Sequence, residues 1–492
     1  MATFNLLTEP WIPVTDQSGD TKERSILDTL RDAHILTSVS DPSPLIQLGI
    51  YRLLIAFVMD ALALKKASEL KKFIALKQFD MDVIDVYANQ WKNRFDLFDE
   101  KYPFMQYPEN DEIDKITKIW PIQFLMQHLS PSFNNKFLSH DTDSAHAFSF
   151  EQCARGLVTI PPFTFYAGVG YVRGINNGPP LYVLIRGDNI FQTILYNSCV
   201  IDPIIKPIGN EPPAWRSDNV IEPEKLVNQF SLLEGLTWRA RRIRLLPGDG
   251  GVCTYSGKNK ESLVREMYYG GGFKASDNWA DPQVAYKITS KGKMPLKPSE
   301  SREPWRDIGP LALLHKDDYN TVNKESFEKP SIVTQYQKLV EIEAISDKKP
   351  LILEVYGLRK DALEVRLREW TIEQISLPWG VMIVKNSGKQ VQDAIDCADV
   401  VARSIRYAIK RAYARKDQKS TDNLDSIVEK ATYAYWSSIK PLFMDRYLRE
   451  LSYQQAISPS DSDAQQILLG TWKGLTSKIG ARCLDDNLDP MD

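Results

Sequence analysis

The residues best suited to close contact with a ligand lie in a glycine-rich segment, residues 163–180. Four glycines fall within eleven of these residues, interleaved with aromatic side chains and one arginine. Glycine reaches positive φ and lets another molecule approach the main chain closely. Gly174 follows the Gly168-x-Gly170 pair one residue too late for a dinucleotide-binding fingerprint. A proline pair and a strand also stand where that fingerprint needs a helix. The segment is therefore either a contact loop or a long hairpin connection, and not a nucleotide site.

Other motifs that carry chemistry are missing or incomplete. Three histidines and a cysteine lie near one another in sequence, at His128, His140, His146 and Cys153, but their spacing matches no zinc site. The sequence has no G-x-S-x-G elbow, no G-x-x-x-x-G-K-[ST] loop and no H-E-x-x-H helix. We therefore expect no catalytic residue, no bound metal and no other cofactor, so that the protein is not an enzyme.

Basic residues give a sharper signal, above all in residues 401–416, which contain six cations and no acid. At about 100° per residue, Arg403, Arg406 and Lys410 share one helical face, opposite an apolar face. Solvated helix faces normally carry acids as well, so a phosphate-binding surface and a solvated face are both open interpretations. Two further clusters occur, at Arg239, Arg241, Arg242 and Arg244, and at Lys287, Lys291 and Lys293.

Length and composition limit the class of protein to which these residues can belong. The 492 residues suffice for two or three structural units, and the net charge of −3 provides no global basic field, so any nucleic-acid binding must come from local patches. The five cysteines are far apart, which is typical of reduced thiols in a cytoplasmic protein. The most apolar run, Leu53–Leu64, fits a buried core helix better than a membrane span. We expect a soluble protein without a membrane partner.

The predicted secondary structure changes from mixed strands and helices to helices alone along the chain. Leu233–Leu246 and Leu351–Tyr356 have strand patterns, and Trp279–Lys297 has the pattern of a hairpin with its tip at residues 290–293. From Leu377 onward helical periodicity dominates. The predicted helices are Gly388–Lys416, Asp422–Lys440, Pro441–Ile457 and Ser462–Ile479, whose short connections favour an antiparallel bundle. The predicted fold class is α+β, with a large mixed α/β domain at 1–376 and a C-terminal four-helix bundle at 377–492.

Four motifs in this order resemble one family over essentially the whole chain. They are NLLTEPWIPV near the start, KYPFMQ from Lys101, IRGDNIF from Ile185 and LTWRARRIRLLP from Leu236. With the glycine loop and the helical C-terminus, they are similar to the large subunit, CasA, of the type I-E CRISPR Cascade complex. The resemblance implies a non-catalytic subunit that recognises the protospacer-adjacent motif in double-stranded DNA. It also implies help in starting strand separation and R-loop formation.

The same resemblance implies partners. These are the crRNA-containing Cascade with its backbone, small and other Cas subunits, and an effector helicase–nuclease that the subunit helps to recruit. In the family, the helical bundle helps to hold the displaced strand. A short motif suits recognition in the minor groove by small backbone-rich elements and slim cations, because base pairing with the guide RNA supplies the remaining specificity.

The family's site residues carry over onto matching positions of this sequence. The glycine loop falls on Tyr166, Ala167, Gly168, Val169 and Gly170, and the polar loop on Asn134, Asn135 and Lys136. The lysine finger falls on Lys291, with Lys293 the near alternative, and the duplex wedge on Arg359, Lys360, Asp361 and Ala362. The non-target-strand path falls on Arg403, Arg406, Lys410 and Arg411.

This sequence departs from the family pattern at two of these positions. Val169 separates glycines that are commonly successive in the family, and Ala362 stands where related wedges carry glutamine. Wedging would then fall to Arg359 or Lys360, or be weaker. The alternative function is a structural or protein-interaction subunit that does not contact the motif. A third class, a metal- or nucleotide-dependent enzyme, has no motif in its favour.

Overall fold

The computed structural model describes residues 2–129, 146–165, 171, 173–200, 212–218, 225–228, 230–276, 279–290, 292–300, 302–314, 326–360, 367–383, 387–414, 421–457 and 462–488. Its helices are α1 Ile26–Arg31, α2 Pro44–Ala61, α3 Ala67–Leu76, α4 Met81–Trp91, α5 Asp111–Ile116, α6 Phe150–Leu157, α7 Ile160–Phe163, α8 Ile190–Asn197, α9 Leu232–Leu236, α10 Ser331–Glu341, α11 Trp379–Ile383, α12 Ser387–Ala414, α13 Thr421–Leu442, α14 Leu448–Ile457 and α15 Ser462–Leu488.

The strands form several small sheets rather than one large one. They are β1 Ile12–Asp16, β2 Thr21–Arg24, β3 Leu36–Val39, β4 Lys118–Pro121, β5 Tyr182–Arg186, β6 Leu226–Val227, β7 Arg241–Val252, β8 Asn259–Gly271, β9 Lys274–Ala275, β10 Tyr286–Thr289, β11 Gly292–Pro295, β12 Ser326–Glu328, β13 Leu351–Lys360 and β14 Leu367–Leu377. Antiparallel sheets have the strand orders β2-β1-β3, β4-β8-β7, β14-β13-β5 and β11-β10-β12, and β6 pairs with β9 in parallel.

Helix α2 is the centre of the N-terminal core. It is apolar on nearly all sides, and only Gln47, Asp60 and Ala61 are not fully buried. It is long and apolar enough to cross a membrane, but 83% of it is buried inside the protein, as in a core helix. Its one buried cation, Arg52, forms an ion pair of 2.9 Å with Asp281 and also donates to Gln283, because a charge at this depth requires acceptors.

The C-terminal helices pack through apolar faces and a few side-chain hydrogen bonds. Ile405 and Ile409 of α12 are buried, as the sequence periodicity predicts. The Tyr435 hydroxyl donates to the carbonyl of Ala398, and the Trp472 indole donates to that of Ala394, which ties α13 and α15 to α12. A mixed α/β region followed by a helical region confirms the predicted α+β fold class.

Three local predictions were wrong. Leu233–Leu246 is not one strand, because Ser231 caps the short helix α9 by accepting from the Glu234 amide, and β7 starts only at Arg241. The strand predicted over Leu351–Tyr356 is longer than expected, since β13 stays paired with β14 as far as Lys360. Pro441 starts no new helix: it lies inside α13, and a π-helical turn at Phe443–Tyr447 follows it.

Candidate nucleic-acid interface

One face of α12 presents an exposed basic ridge. The helix is amphipathic, so burial of its apolar face turns Arg403, Arg406 and Lys410 toward solvent. Its position is fixed by a close approach to α15, where a β-carbon at Gly480 would lie 2.3 Å from a methyl carbon of Val401. A side chain larger than glycine at this crossing would push the two helices apart, because packed interiors leave little free volume.

The basic ridge forms one wall of a large groove. The other walls are α13, the loop end of the β13–β14 hairpin, and residues 300, 302–304 and 306, and the groove has a volume of about 1140 Å³. Arg359 of β13 also lines this groove. The structure thus brings together residues that the sequence predicted separately: one wedge residue and three residues of the non-target-strand path. Arg411, the fourth path residue, is exposed on α12 but does not line the groove.

Three of the cations in the groove, Arg302, Arg306 and Arg359, are held in close ion pairs. Among the described residues that line it are seven basic side chains, Arg302, Arg306, Arg359, Arg403, Arg406, Lys410 and Lys430. Arg302 and Arg306 both pair with Asp399 of α12, and Arg302 also pairs with Asp307 at 2.7 Å. These pairs hold the base of the groove and leave little charge for a ligand.

The cations of the basic ridge are less engaged in ion pairs. Lys410 lies 3.9 Å from Asp425, a loose contact between two exposed groups. Arg403 and Arg406 form no ion pair with any carboxylate in the part of the chain that the structure describes. Burial raises the pKa of the Asp396 carboxyl, and the charge of Arg403 acts against this rise. The guanidinium donors of both arginines remain available to another partner, and Arg suits phosphate because its donors form a planar fork.

Arg359 is placed less favourably for a wedge. It sits within β13, opposite Glu369, and pairs with that residue at 3.0 Å and with Glu300 at 3.5 Å. Its side chain lies near the loop end of the hairpin but is held by two carboxylates, which leaves it less available to a DNA duplex. Lys360 is the last residue of β13, and Asp361 and Ala362 lie outside the described residues.

A second set of ion pairs joins the hairpin to the bundle. Lys440 of α13 contacts Glu373 of β14 at 2.6 Å and Glu303 at 2.9 Å. Burial raises the pKa of the Glu373 carboxyl despite the nearby lysine. Burial also acts against charge on Lys440, but the two carboxylates outweigh it and raise the lysine pKa. Arg306 stacks over Trp436, with its guanidinium carbon 3.7 Å from the ring centroid. These contacts hold α13, β14 and the segment with Glu303 and Arg306 together around the groove.

The arginine cluster of residues 239–244 is not a surface patch, which corrects the prediction of a phosphate-binding cluster there. Arg239, Arg241 and Arg242 are buried, and Arg244 forms an ion pair with Asp114. Burial lowers the pKa of the Arg239 guanidinium to about 10. Arg241 donates to the carbonyl of Phe165. This cluster therefore supports the sheet and the start of the glycine segment instead of facing a ligand.

The glycine segment is anchored on both sides. Gly174 donates its amide to the carbonyl of Thr164 at 3.2 Å, and a β-carbon at Gly174 would lie 3.0 Å from that oxygen. Tyr171 stacks on Tyr269 and donates its hydroxyl to the Tyr269 carbonyl. The buried Asn176 amide donates to the Tyr182 hydroxyl at 3.0 Å. The predicted contact residues themselves, Tyr166, Ala167, Gly168, Val169 and Gly170, lie outside the described residues.

The lysine hairpin forms as predicted, but its strands are shorter and Gly292 and Lys293 of the predicted tip belong to β11. Strands β10 and β11 pair from Tyr286↔Pro295 to Thr289↔Gly292, and Gly292 adopts a φ of 113° at the turn. Lys293 pairs with Glu328 of β12 at 2.6 Å. Lys291 lies outside the described residues, as do Asn134, Asn135 and Lys136 of the polar loop.

Two tyrosines of the groove, Tyr407 and Tyr433, were missed by the sequence reasoning. Both line the groove and both are strongly exposed. A signal was available for Tyr407, which stands between Arg406 and Lys410 on the same helical face. The signal for Tyr433 was weaker, because only one cation of its own helix, Lys430, lies beside it in the groove. Among the described residues, no cluster of His, Cys, Asp or Glu could hold a metal ion, and all five cysteines are free thiols.

The structure defines an α+β protein with a C-terminal helical region and a groove that carries exposed cations on α12. A family model described as CRISPR-associated protein Cse1 matches residues 5–478. A relative from Thermus thermophilus, CRISPR-associated protein CasA/Cse1, is 29% identical over 331 residues, which make up 63% of this chain and 60% of that protein. The chain therefore matches less than two thirds of that relative's length.

Solved structures show the same fold. A crystal structure of CasA from Thermus thermophilus superposes with a TM-score of 0.73 at 22% identity, covering 99% of this chain and 94% of that one. A chain of a CRISPR RNA-guided surveillance complex superposes with a TM-score of 0.69 at 16% identity, covering 100% and 99%. The chain belongs to the CRISPR-associated Cse1 family. Its resemblance to the large subunit of type I-E Cascade is thereby confirmed.

Proposed function

We propose that this chain recognises the protospacer-adjacent motif in double-stranded DNA as the large subunit of an RNA-guided Cascade complex in the cytoplasm. It helps to initiate strand separation and R-loop formation and contributes to recruiting an effector helicase–nuclease. It supplies no catalytic group. Membership of the Cse1 family supports the setting, together with the likeness to a chain of an RNA-guided surveillance complex.

The observation that carries the DNA contact is the shared groove of the hairpin and the basic ridge. The loop end of the β13–β14 hairpin and the ridge of Arg403, Arg406 and Lys410 line one cavity. In the proposal, Asp361 and Ala362, which follow β13 in the sequence, help to separate the strands, and the displaced strand passes Arg359 into the groove. Arg403 and Arg406 then meet its phosphates, since no described carboxylate pairs with them.

Motif recognition is assigned to three segments, of which 166–170 is the first. Its neighbours Thr164 and Gly174 are hydrogen-bonded to each other, which would present a short backbone-rich loop from a fixed base. Residues 134–136 and the β10–β11 turn supply the amides and the lysine finger. Lys293 is engaged with Glu328, so Lys291 is the better finger. Small backbone elements with one slim cation suit the narrow minor groove.

The test uses the complex reconstituted with Lys291→Ala or Gly168→Asp and two duplexes, one with and one without the motif. At fixed salt each variant should lose roughly 5- to 100-fold in affinity for the motif-containing duplex, the range for one specific groove contact. Lys293→Ala is the matched control and should have a smaller effect because of its ion pair. Unchanged affinity of both Lys291→Ala and Gly168→Asp would contradict this site assignment.

A further inference from the structure

Two exposed tyrosines line the groove and are not part of the hydrophobic core. Tyr407 on α12 is 66% exposed and Tyr433 on α13 is 72% exposed. In the described chain neither ring contacts another aromatic ring, and neither hydroxyl has a hydrogen-bond partner. By contrast, Tyr435 and Trp436 on the neighbouring positions of α13 are buried in the core. Burial of an aromatic side chain is strongly favourable. Two solvent-exposed rings within one cavity therefore indicate a site where a ligand can cover them.

The surroundings of these rings specify the ligand. Tyr407 follows Arg403 by four residues and precedes Lys410 by three, so all three side chains occupy one helical face. Lys430, three residues before Tyr433, also lines the groove and has no ion-pair partner among the described residues. Exposed rings interleaved with unpaired cations are the arrangement that proteins use for single-stranded nucleic acid.

We propose that Tyr407 and Tyr433 are stacking platforms for unpaired bases of a single DNA strand. The phosphates of that strand would lie on Arg403 and Arg406. This inference rests on the proposed function of the groove and names the part of the strand that the groove holds. A duplex conceals its base faces between neighbouring base pairs, whereas a displaced strand exposes them. Because every base has a π-face, the contact is independent of sequence, as a strand of arbitrary sequence requires.

Stacking and phosphate binding have separable signatures. Loss of a phosphate contact reduces the salt dependence of binding, whereas loss of a stacking contact lowers affinity at every salt concentration by the same factor. Each tyrosine should contribute roughly 5- to 100-fold to affinity, as base stacking does on other single-strand-binding surfaces. The hydroxyl should contribute little, because the ring face forms the contact.

The experiment measures binding of the full-length chain to a dT oligonucleotide that carries 2-aminopurine, whose fluorescence falls on stacking. The variants are Tyr407→Ala/Tyr433→Ala, Tyr407→Phe/Tyr433→Phe and Arg403→Gln/Arg406→Gln. Tyr453→Ala is the matched control, since Tyr453 is 68% exposed but lies outside the groove. The Ala pair should lose affinity and quenching with an unchanged salt slope. The Phe pair and the control should bind as the original chain does.

Other outcomes overturn the inference. If the Ala pair binds normally while the Gln pair binds weakly, the strand path stands and stacking is wrong. If the Phe pair loses as much as the Ala pair, the hydroxyls rather than the rings make the contact, and stacking is again wrong. If neither the Ala pair nor the Gln pair changes binding, the proposed strand path fails together with the stacking.

Discussion

Replacing Arg403, Arg406 and Lys410 together by glutamine should weaken the binding of a single DNA strand and reduce its dependence on salt. All three side chains are exposed and line the groove, so the change removes charge without opening the core. The arginines should account for most of the effect, because Lys410 already lies 3.9 Å from Asp425.

The magnitude follows from counterion release. Each phosphate neutralised on a single strand contributes about 0.7 to the slope of log K against log salt, so three lost contacts reduce the slope by about 2. Relative to a 1 M reference, the same three contacts give roughly 50-fold in affinity at about 0.15 M salt. The exposed position of the groups makes this an upper value, because partial screening reduces the share of each cation.

The assay is fluorescence anisotropy of a labelled dT oligonucleotide with the full-length chain over a series of NaCl concentrations. A matched variant replaces Lys473, Lys478 and Arg482 of α15 by glutamine, which gives the same change in net charge at exposed positions outside the groove. We expect a reduced slope for the groove variant alone. Equal slopes for the groove variant and the original chain would refute the assignment of the ridge to the strand path. Equal losses in both variants would show that only the net charge matters.

Two further predictions concern stability. Gly480→Ala should destabilise the chain by about 1–3 kcal/mol in denaturant unfolding, because its β-carbon would lie 2.3 Å from a Val401 methyl. Gly470→Ala on the same helix has open space around it and should instead stabilise by about 0.5–1 kcal/mol, so a loss at Gly470 or none at Gly480 would contradict the packing described for α12 and α15. His128 accepts or donates hydrogen bonds with Ser43 and Tyr255, and burial lowers its pKa to about 4. A histidine with a lowered folded pKa contributes stability that is present above its unfolded pKa of about 6.5 and is lost as the pH falls toward 4, by at most about 3 kcal/mol. His128→Gln should flatten this part of the stability profile, and an unchanged profile would show that His128 is not the titrating group.

The sequence predicted best what local periodicity determines. The buried and exposed faces of α12 follow from the spacing of Ile405 and Ile409 against Arg403 and Arg406, and helical geometry alone separates them. The β10–β11 hairpin was likewise predicted, because glycine at its turn suits the positive φ of Gly292. In both cases neighbours in sequence decide the structure.

The sequence predicted poorly what distant residues decide. A run of arginines at 239–244 resembles a basic surface patch in the sequence. In the structure, Arg244 pairs with Asp114 and Arg241 donates to the carbonyl of Phe165, and both partners are distant in the chain. The same holds for the groove. Arg359 and Arg403 line one cavity because the hairpin packs against the helical bundle. This packing depends on ion pairs between distant residues, such as Lys440 with Glu373, which the sequence pattern does not reveal.

The most direct measurement of the central claim is a mobility-shift titration of the assembled RNA-guided complex with and without this chain. The duplex carries a target that matches the guide, and a second duplex differs only in the motif beside the target. We expect tight binding to the motif-containing duplex only when the chain is present, and weak binding of the other duplex in both cases. Equal affinity of the complexes with and without the chain would contradict motif recognition by this chain and would leave a purely structural subunit.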